Sequence, residues 1–152
     1  MIKPEELRFG DLVRVCCDCA FPKDSVCTVN QIYSKQFYKV TKGIVTLASA
    51  DDSEAGPLIV FCSDIEGTPL TPEILEKNDF KTIDPKRGYT QSMGDTSRVL
   101  KRYISIERKS RDWAVFLKYE SFYDYVLIRH IQCIHELQHL LFGLGINHEM
   151  EV

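Results

Sequence analysis

The clearest structural pattern of the chain lies near the C-terminus, where residues 128–144 read IRHIQCIHELQHLLFGL. Its apolar side chains recur every three or four residues, which is the spacing that gives an α-helix one apolar face. These side chains are Ile128, Ile131, Ile134, Leu137, Leu141, Phe142 and Leu144. Gly143 and Gly145 follow where a helix commonly ends on glycine. The stretch therefore predicts an amphipathic C-terminal helix that packs on a sheet.

The first 66 residues have a different pattern, because their apolar residues occur in short alternating or continuous runs separated by turn-forming residues. The predicted strands cover residues 12–15, 26–33, 37–41, 44–47 and 58–62. Five short strands in so short a segment are typical of a small barrel, which closes on itself and leaves no exposed edges. The opening GDLVRV, residues 10–15, also resembles the first strand of SH3-like barrels.

Residues 67–152 are predicted to form an α+β unit. Thr71 is a good N-cap for a short helix, and two strands follow at residues 99–106 and 113–119 with a polar hairpin turn between them. The predicted class is therefore α+β, with an SH3-like β-barrel over residues 1–66, then a short helix, an antiparallel sheet and the C-terminal helix packed on that sheet. The two parts are either separate domains or share one core.

Composition limits the class of protein. The chain has 152 residues, 44% hydrophobic and 27% charged, with a net charge of -3. These values exclude a disordered, a collagen-like or a coiled-coil chain, and no apolar run reaches the roughly 18 residues of a membrane helix. Residues 1–15 carry acidic side chains where an export signal has an apolar core, so we expect a cytoplasmic protein. Its six cysteines are then expected as thiols or metal ligands.

The predicted C-terminal helix contains an H-E-x-x-H sequence at residues 135–139. On a helix, His135 and His139 share a face and can both bind zinc, while Glu136 can act as general base on a zinc-bound water. A catalytic zinc needs a third protein ligand, and the late candidates for it are His148, Glu149 and Glu151. The alternative is a structural His135 that packs at the border of the apolar face.

A second candidate zinc site consists of cysteines in the N-terminal half. They are Cys16, Cys19, Cys27 and Cys62. Cys16 and Cys19 form a C-x-x-C pair, and thiolate clusters are typical of structural zinc. The chain has no second C-x-x-C, and a reduced cysteine is often a small buried hydrophobe. We therefore expect no cofactor, with zinc as the alternative.

Basic residues cluster around the predicted hairpin. Six of them fall within 14 residues, namely Arg98, Lys101, Arg102, Arg108, Lys109 and Arg111. If the protein binds nucleic acid, we expect phosphate contacts and base stacking from this region. The expected residues are Arg102, Arg108, Lys109 and Arg111 for phosphate and Trp113 for stacking. The alternative is a solvated hairpin tip, and the net negative charge of the chain weighs against non-specific DNA binding.

Three stretches are spread along the chain: ELRFGDLV at residues 6–13, DIEGTPLTPEIL at residues 64–75, and IHELQHLLF at residues 134–142. Together they resemble a group of small proteins from Bacteroides-type bacteria and their phages or mobile elements. The resemblance implies that, in members of this group, glutamine often stands at the position that matches Glu136 and asparagine at the position that matches His139. The H-E-x-x-H sequence would then be incidental to a structural helix.

These observations favour a non-enzymatic binding or accessory protein of phage or mobile-element origin. Its partner is expected to be a protein or a nucleic acid, and no membrane contact is expected. The alternative is a zinc-dependent hydrolase that uses His135 and His139 as ligands and Glu136 as the base.

Overall fold

The computed structural model describes residues 2–16, 21–37, 40–49, 56–84, 88–92, 102–119 and 125–152. Within these residues, ten strands form two antiparallel five-stranded sheets, and two α-helices accompany them. The predicted α+β class with a C-terminal helix is thereby confirmed.

The chain divides into two compact units. The first consists of Met1–Pro69, Cys133–Leu140 and His148–Met150, and the second of Leu70–Gln132, Leu141–Asn147 and Glu151–Val152. Whether residues 1–66 form a separate domain stays a prediction.

The first sheet has the strand order β4-β3-β2-β1-β5. Its strands are β1 (Leu12–Val15), β2 (Val26–Phe37), β3 (Val40–Ser49), β4 (Leu58–Phe61) and β5 (Ile65–Gly67). Alternate side chains along these strands point to one face and form a buried apolar core. The core includes Val13, Val15, Cys27, Val29, Val45, Leu47, Val60 and Ile65. This unit therefore has a hydrophobic core of its own.

The first sheet is not closed, so the predicted SH3-like barrel is wrong on this point. In the described residues β4 and β5 lie at opposite edges, and no ladder joins them. A 3-10 turn of only three residues, Cys62–Asp64, connects the two strands along the chain. The four residue steps from β4 to β5 span at most about 14 Å, whereas the edges of a flat five-stranded sheet lie about 19 Å apart. The sheet must therefore curl strongly, although its short edge strands do not pair.

The strand predicted at residues 37–41 is divided, because Phe37 ends β2 while residues 40–41 belong to one continuous strand, β3, with the strand predicted at 44–47. Gly43 lies inside this strand and pairs with Ser34 of β2. Residues 38–39, between β2 and β3, lie outside the described residues.

The second sheet has the strand order β10-β9-β8-β7-β6. Its strands are β6 (Lys81–Asp84), β7 (Gly88–Ser92), β8 (Arg102–Arg108), β9 (Trp113–Tyr119) and β10 (Tyr125–Ile131). Helix α1 (Pro72–Lys77) precedes the sheet, and the Thr71 hydroxyl accepts the backbone N–H of Ile74 at 3.4 Å, which confirms the predicted N-cap. The register places five buried side chains on one face of the sheet: Tyr89, Ile104, Ile106, Trp113 and Val115.

The C-terminal helix α2 covers Ile134–Gly143 and is shorter than the predicted stretch 128–144. Ile128 and Ile131, which the helical pattern used, belong to strand β10. Residues 125–128 read YVLI, and aromatic and β-branched residues favour strands. Helix residues 134–140 group with the first unit and residues 141–143 with the second.

No helix in the described part of the chain is long and apolar enough to cross a membrane.

Candidate functional site

The H-E-x-x-H sequence occupies the start of α2, where His135 and His139 lie on one face as predicted. Their ring centroids are 5.9 Å apart in an edge-to-face arrangement. His135 is buried, and His139 is largely buried. The face that carries the two histidines is therefore turned toward the protein rather than toward solvent.

Asp11, just before β1, binds the second histidine of the motif. The Nε2 atom of His139 lies 2.8 Å and 3.0 Å from the two carboxylate oxygens of Asp11. The same carboxylate accepts the backbone N–H of Arg8 at 2.7 Å, and only 3% of the Asp11 side chain is exposed. Burial raises the pKa of Asp11, while the Arg8 hydrogen bond and His139 lower it part of the way back. The pair is a buried link between β1 and α2.

Gln138 reinforces this link from the neighbouring position on the helix. Its side-chain amide accepts the backbone N–H of Leu12 and donates to the carbonyl of Gly10, each at 3.1 Å. Two backbone groups that burial would otherwise leave without a partner are thereby satisfied. Gly10 has a φ of 87°, a left-handed conformation that favours glycine and turns the chain into β1. No local pattern in the sequence indicates this role of Gln138.

Glu136 has a structural role at the beginning of the helix. Its carboxylate accepts the backbone N–H of Cys133, the residue before the first helical position, at 3.1 Å. This is one of the two hydrogen bonds of a capping box, and the helix dipole also favours a negative charge at this end. The position of Glu136 is therefore explained by helix capping, without the general-base role.

His135 packs closely against the last strand of the first sheet. A Cβ atom on Gly67 would lie 2.9 Å from the Cε1 atom of His135 and 2.4 Å from the sulfur of Cys133. The Nδ1 atom of His135 is buried without a hydrogen-bond partner. Glycine at position 67 is therefore what lets the helix approach this strand, which agrees with the structural reading of His135.

The surroundings of His135 favour its neutral form. Burial is the main cause that lowers the pKa of His135, and the charge of His139 acts in the same direction. The carboxylates of Asp11, Glu136 and Glu6 raise this pKa part of the way back. A neutral imidazole with one unbonded nitrogen thus lies inside the contact between β5 and α2.

Among the described residues, no three His, Cys, Asp or Glu side chains converge as metal ligands would. Cys27 and Cys62 are buried, Cys16 is partly exposed, and the predicted ligand Cys19 lies outside the described residues. The thiol of Cys16 donates to the carbonyl of Ser63 at 3.8 Å. Burial is the main cause that raises the pKa of Cys62, and it favours the neutral thiol.

The basic hairpin is arranged differently from the nucleic-acid prediction. The indole of Trp113 is only 6% exposed and donates to the Leu70 carbonyl at 3.0 Å, so its ring has no open face for base stacking. The Arg108 guanidinium lies 5.6 Å from the centre of that ring, and Lys109 pairs with Glu107 at 3.4 Å. Arg111 is exposed at the tip, and the side chain of Arg102 lies outside the described residues.

The apolar surface of strand β10 was missed by the sequence reasoning. Tyr125, Val126 and Leu127 are exposed by 58%, 58% and 48%, although they belong to a strand. Because successive strand residues point to opposite faces, these three expose apolar area on both sides of the sheet. In the described residues β10 pairs only with β9, so it is an edge strand. The YVLI run was the available signal, but it was assigned partly to the helix.

Comparison with known proteins finds no family model, no curated protein and no solved structure that matches this chain. The resemblance to the Bacteroides-type group stays a prediction.

Proposed function

We propose that this chain is a non-enzymatic binding protein whose partner is a protein that contacts strand β10 at the edge of the second sheet. The observation that carries the proposal is the exposure of three consecutive apolar side chains, Tyr125, Val126 and Leu127, on an edge strand. Exposed apolar patches of this kind mark interaction sites or aggregation-prone surfaces.

The two edges of the second sheet support this interpretation. Proteins protect edge strands by making them short and by placing charged residues on them. Strand β6, at one edge, has four residues and begins with the exposed Lys81. Strand β10, at the other edge, has seven residues and begins with the three exposed apolar residues. A β-bulge, which also protects edges, interrupts β10 between Leu127 and Arg129, but the first three residues of the strand carry no charge and are suited to contact with another chain.

The motif that suggested catalysis supports a non-enzymatic role. His139 binds Asp11, Glu136 caps the helix, and His135 fills the space above Gly67. Each side chain of the motif thus has a structural role that needs neither metal nor substrate.

A protein partner is favoured over a nucleic acid because the predicted stacking residue, Trp113, is buried. Two of the predicted phosphate contacts, Arg108 and Lys109, also already contact side chains of the same sheet. The proposal includes the phage or mobile-element origin that the resemblance implies. It also includes a cytoplasmic location, for which the described cysteines are consistent support because they are thiols rather than disulfides.

Photo-crosslinking tests the proposal. A photoreactive phenylalanine replaces Val126 in one variant and Ile83 in a matched control, and both are expressed in bacterial cells and irradiated. Ile83 lies on the opposite edge strand of the same sheet and is equally exposed, at 59%. We expect a discrete protein adduct from position 126 and not from position 83. Adducts with nucleic acid, or equal adducts from both positions, would overturn the proposal.

A further inference from the structure

We propose that the side-chain amide of Asn78, at the end of helix α1, is a binding site for the main chain of an extended protein segment. The chain's own residues Glu151 and Val152 fill this site, and a partner's segment takes it over by displacing them. Asn78 and both residues that fill the site belong to the second unit. The site does not involve strand β10, so the inference goes beyond the proposed function.

The amide of Asn78 binds both main-chain groups of a single residue. Its Oδ1 atom accepts the backbone N–H of Glu151 at 2.9 Å, and its Nδ2 atom donates to the Glu151 carbonyl at 2.8 Å. A neighbouring β-strand satisfies a residue through the same pair of hydrogen bonds. One position further on, the carbonyl of Val152 accepts a hydrogen bond from the Nζ atom of Lys77. The contact therefore reads the main chain of two successive residues.

The site is held in place by bonds that do not involve its occupant. Helix α1 ends in a Schellman motif, in which Asp79 takes a left-handed φ of 63° and the N–H of Phe80 donates to the Leu75 carbonyl at 3.0 Å. This motif fixes Asn78 at the C-cap of the helix. The Nδ2 atom of Asn78 also donates to the Ile74 carbonyl at 2.7 Å. The amide therefore keeps its orientation when the occupant leaves.

The present occupant is held weakly. All three hydrogen bonds to it lie at the surface, and they use only the main-chain atoms of Glu151 and Val152. Hydrogen bonds at the surface add little to stability, because water replaces the lost partner. Segments held by such bonds open at a small cost in free energy. Residues 151–152 therefore act as a strap that another segment can displace.

The site selects a backbone conformation rather than a side-chain type. An asparagine amide carries a donor and an acceptor side by side, which match the C=O and N–H of one extended residue. A helix does not offer this pair, because its internal N–H and C=O groups already bond to each other. Lys77 adds a donor for an acceptor at the next position. The partner is therefore an extended protein segment with free main-chain groups, whatever its side chains.

Substitutions at position 151 of the full chain test the main-chain contact by heteronuclear NMR. Glu151→Pro removes the N–H that Asn78 accepts, because proline has none. Glu151→Ala is the matched control, since it keeps the main chain and removes only the side chain. We expect the heteronuclear NOE of the Val152 amide to fall about twofold in Glu151→Pro and to stay unchanged in Glu151→Ala.

A synthetic peptide then tests whether the opened site accepts a separate segment. The peptide has the sequence of residues 147–152, is blocked at both ends and is titrated to about 10 mM. In Glu151→Pro we expect saturable shifts of the backbone amide signals of Lys77 and Asn78. Binding should be about tenfold weaker in the original chain, where residues 151–152 compete at high effective concentration. Adding Asn78→Asp to Glu151→Pro removes the side-chain N–H donors and should abolish the shifts.

Circular dichroism first establishes that Glu151→Pro is folded, and a chain that ends at Met150 replaces it if it is not. The inference would be overturned by a Val152 NOE that stays high in Glu151→Pro or falls equally in Glu151→Ala. A lack of response to the peptide in the opened variant would overturn it as well. These outcomes do not touch the proposed function, and failed crosslinking at position 126 would in turn leave the Asn78 site standing.

Discussion

The start of helix α2 and the edge strand β10 differ in opposite ways from what their sequences suggest. Helix α2 carries the residue types of a catalytic site, yet Glu136, Gln138 and His139 all bond to groups that hold the fold together. Strand β10 carries the residue types of a core, yet Tyr125 and Val126 are exposed. The environment of a residue, rather than its type, therefore decides whether it serves structure or binding.

Two aspartate–histidine pairs show how strongly the environment affects the contribution of a pair to stability. Asp11 and His139 form a largely buried pair in the first unit. Asp112 and His130 form a partly exposed pair in the second unit, at 3.0 Å. The same chemistry should therefore contribute very differently to stability, because removing one partner of a buried pair leaves a polar group without water or a hydrogen bond.

The largest effect is expected for Asp11→Ala, which should lower the free energy of unfolding by about 3 kcal/mol. The change removes the partner of His139 and of the Arg8 backbone N–H. Asp112→Ala is the matched control and should cost less than about 1 kcal/mol. Urea unfolding of both variants measures the difference, and equal losses would contradict the assigned role of the buried pair.

Gly67→Ala should have the next largest effect, at about 2 kcal/mol. The added methyl group would lie 2.4 Å from the sulfur of Cys133 and 2.7 Å from its Cβ atom, so the strand and the helix start must move apart. Gly56→Ala, where a Cβ would meet nothing within 4 Å, is the control and should be close to neutral. Thermal unfolding compares the two variants. A Gly67→Ala protein as stable as the control would show that the close approach is not needed.

The buried His135 should make the protein sensitive to acid. Its pKa is lowered by burial, so its contribution to stability is present above the unfolded pKa of about 6.5 and is lost as the pH falls through the folded value. The pKa of Asp11 is raised, so that group acts in the opposite sense and favours the folded state as it takes up its proton at lower pH.

We therefore expect the unfolding free energy to fall below pH 6.5, by at most about 1.4 kcal/mol per pH unit for one proton. His135→Asn should flatten this part of the profile. Urea unfolding between about pH 5 and pH 8 measures both proteins. A profile that keeps the same slope in the variant would assign the acid sensitivity to another group.

The smallest effect on folding is expected at the exposed strand. Val126→Lys should change the unfolding free energy by less than about 0.5 kcal/mol, because the side chain is already mostly in solvent. Val115→Lys, at a fully buried position of the adjacent strand, should instead prevent stable folding. If Val126→Lys loses as much stability as Val115→Lys, then Val126 contributes to the core, and its exposure does not mark a surface that binds a partner.

Much of the local structure followed from the sequence. The N-cap at Thr71 and strands β1 and β9 were predicted where they occur, because caps and strand patterns depend on residues close together in the chain. The beginning of helix α2 was predicted too early. The spacing of Ile128 and Ile131 fits a helix face, but both residues belong to strand β10, which pairs with β9.

The α+β class and the apolar positions of α2 could be predicted from the sequence, because both depend on periodicity along the chain. The roles of the H-E-x-x-H residues depend instead on tertiary contacts. His139 meets Asp11 across a separation of 128 residues, and no local pattern encodes such a contact. The same holds for Trp113 and Val126, since burial depends on what packs against a side chain. Whether a histidine binds a carboxylate, or a valine faces water, is fixed only when distant segments pack together.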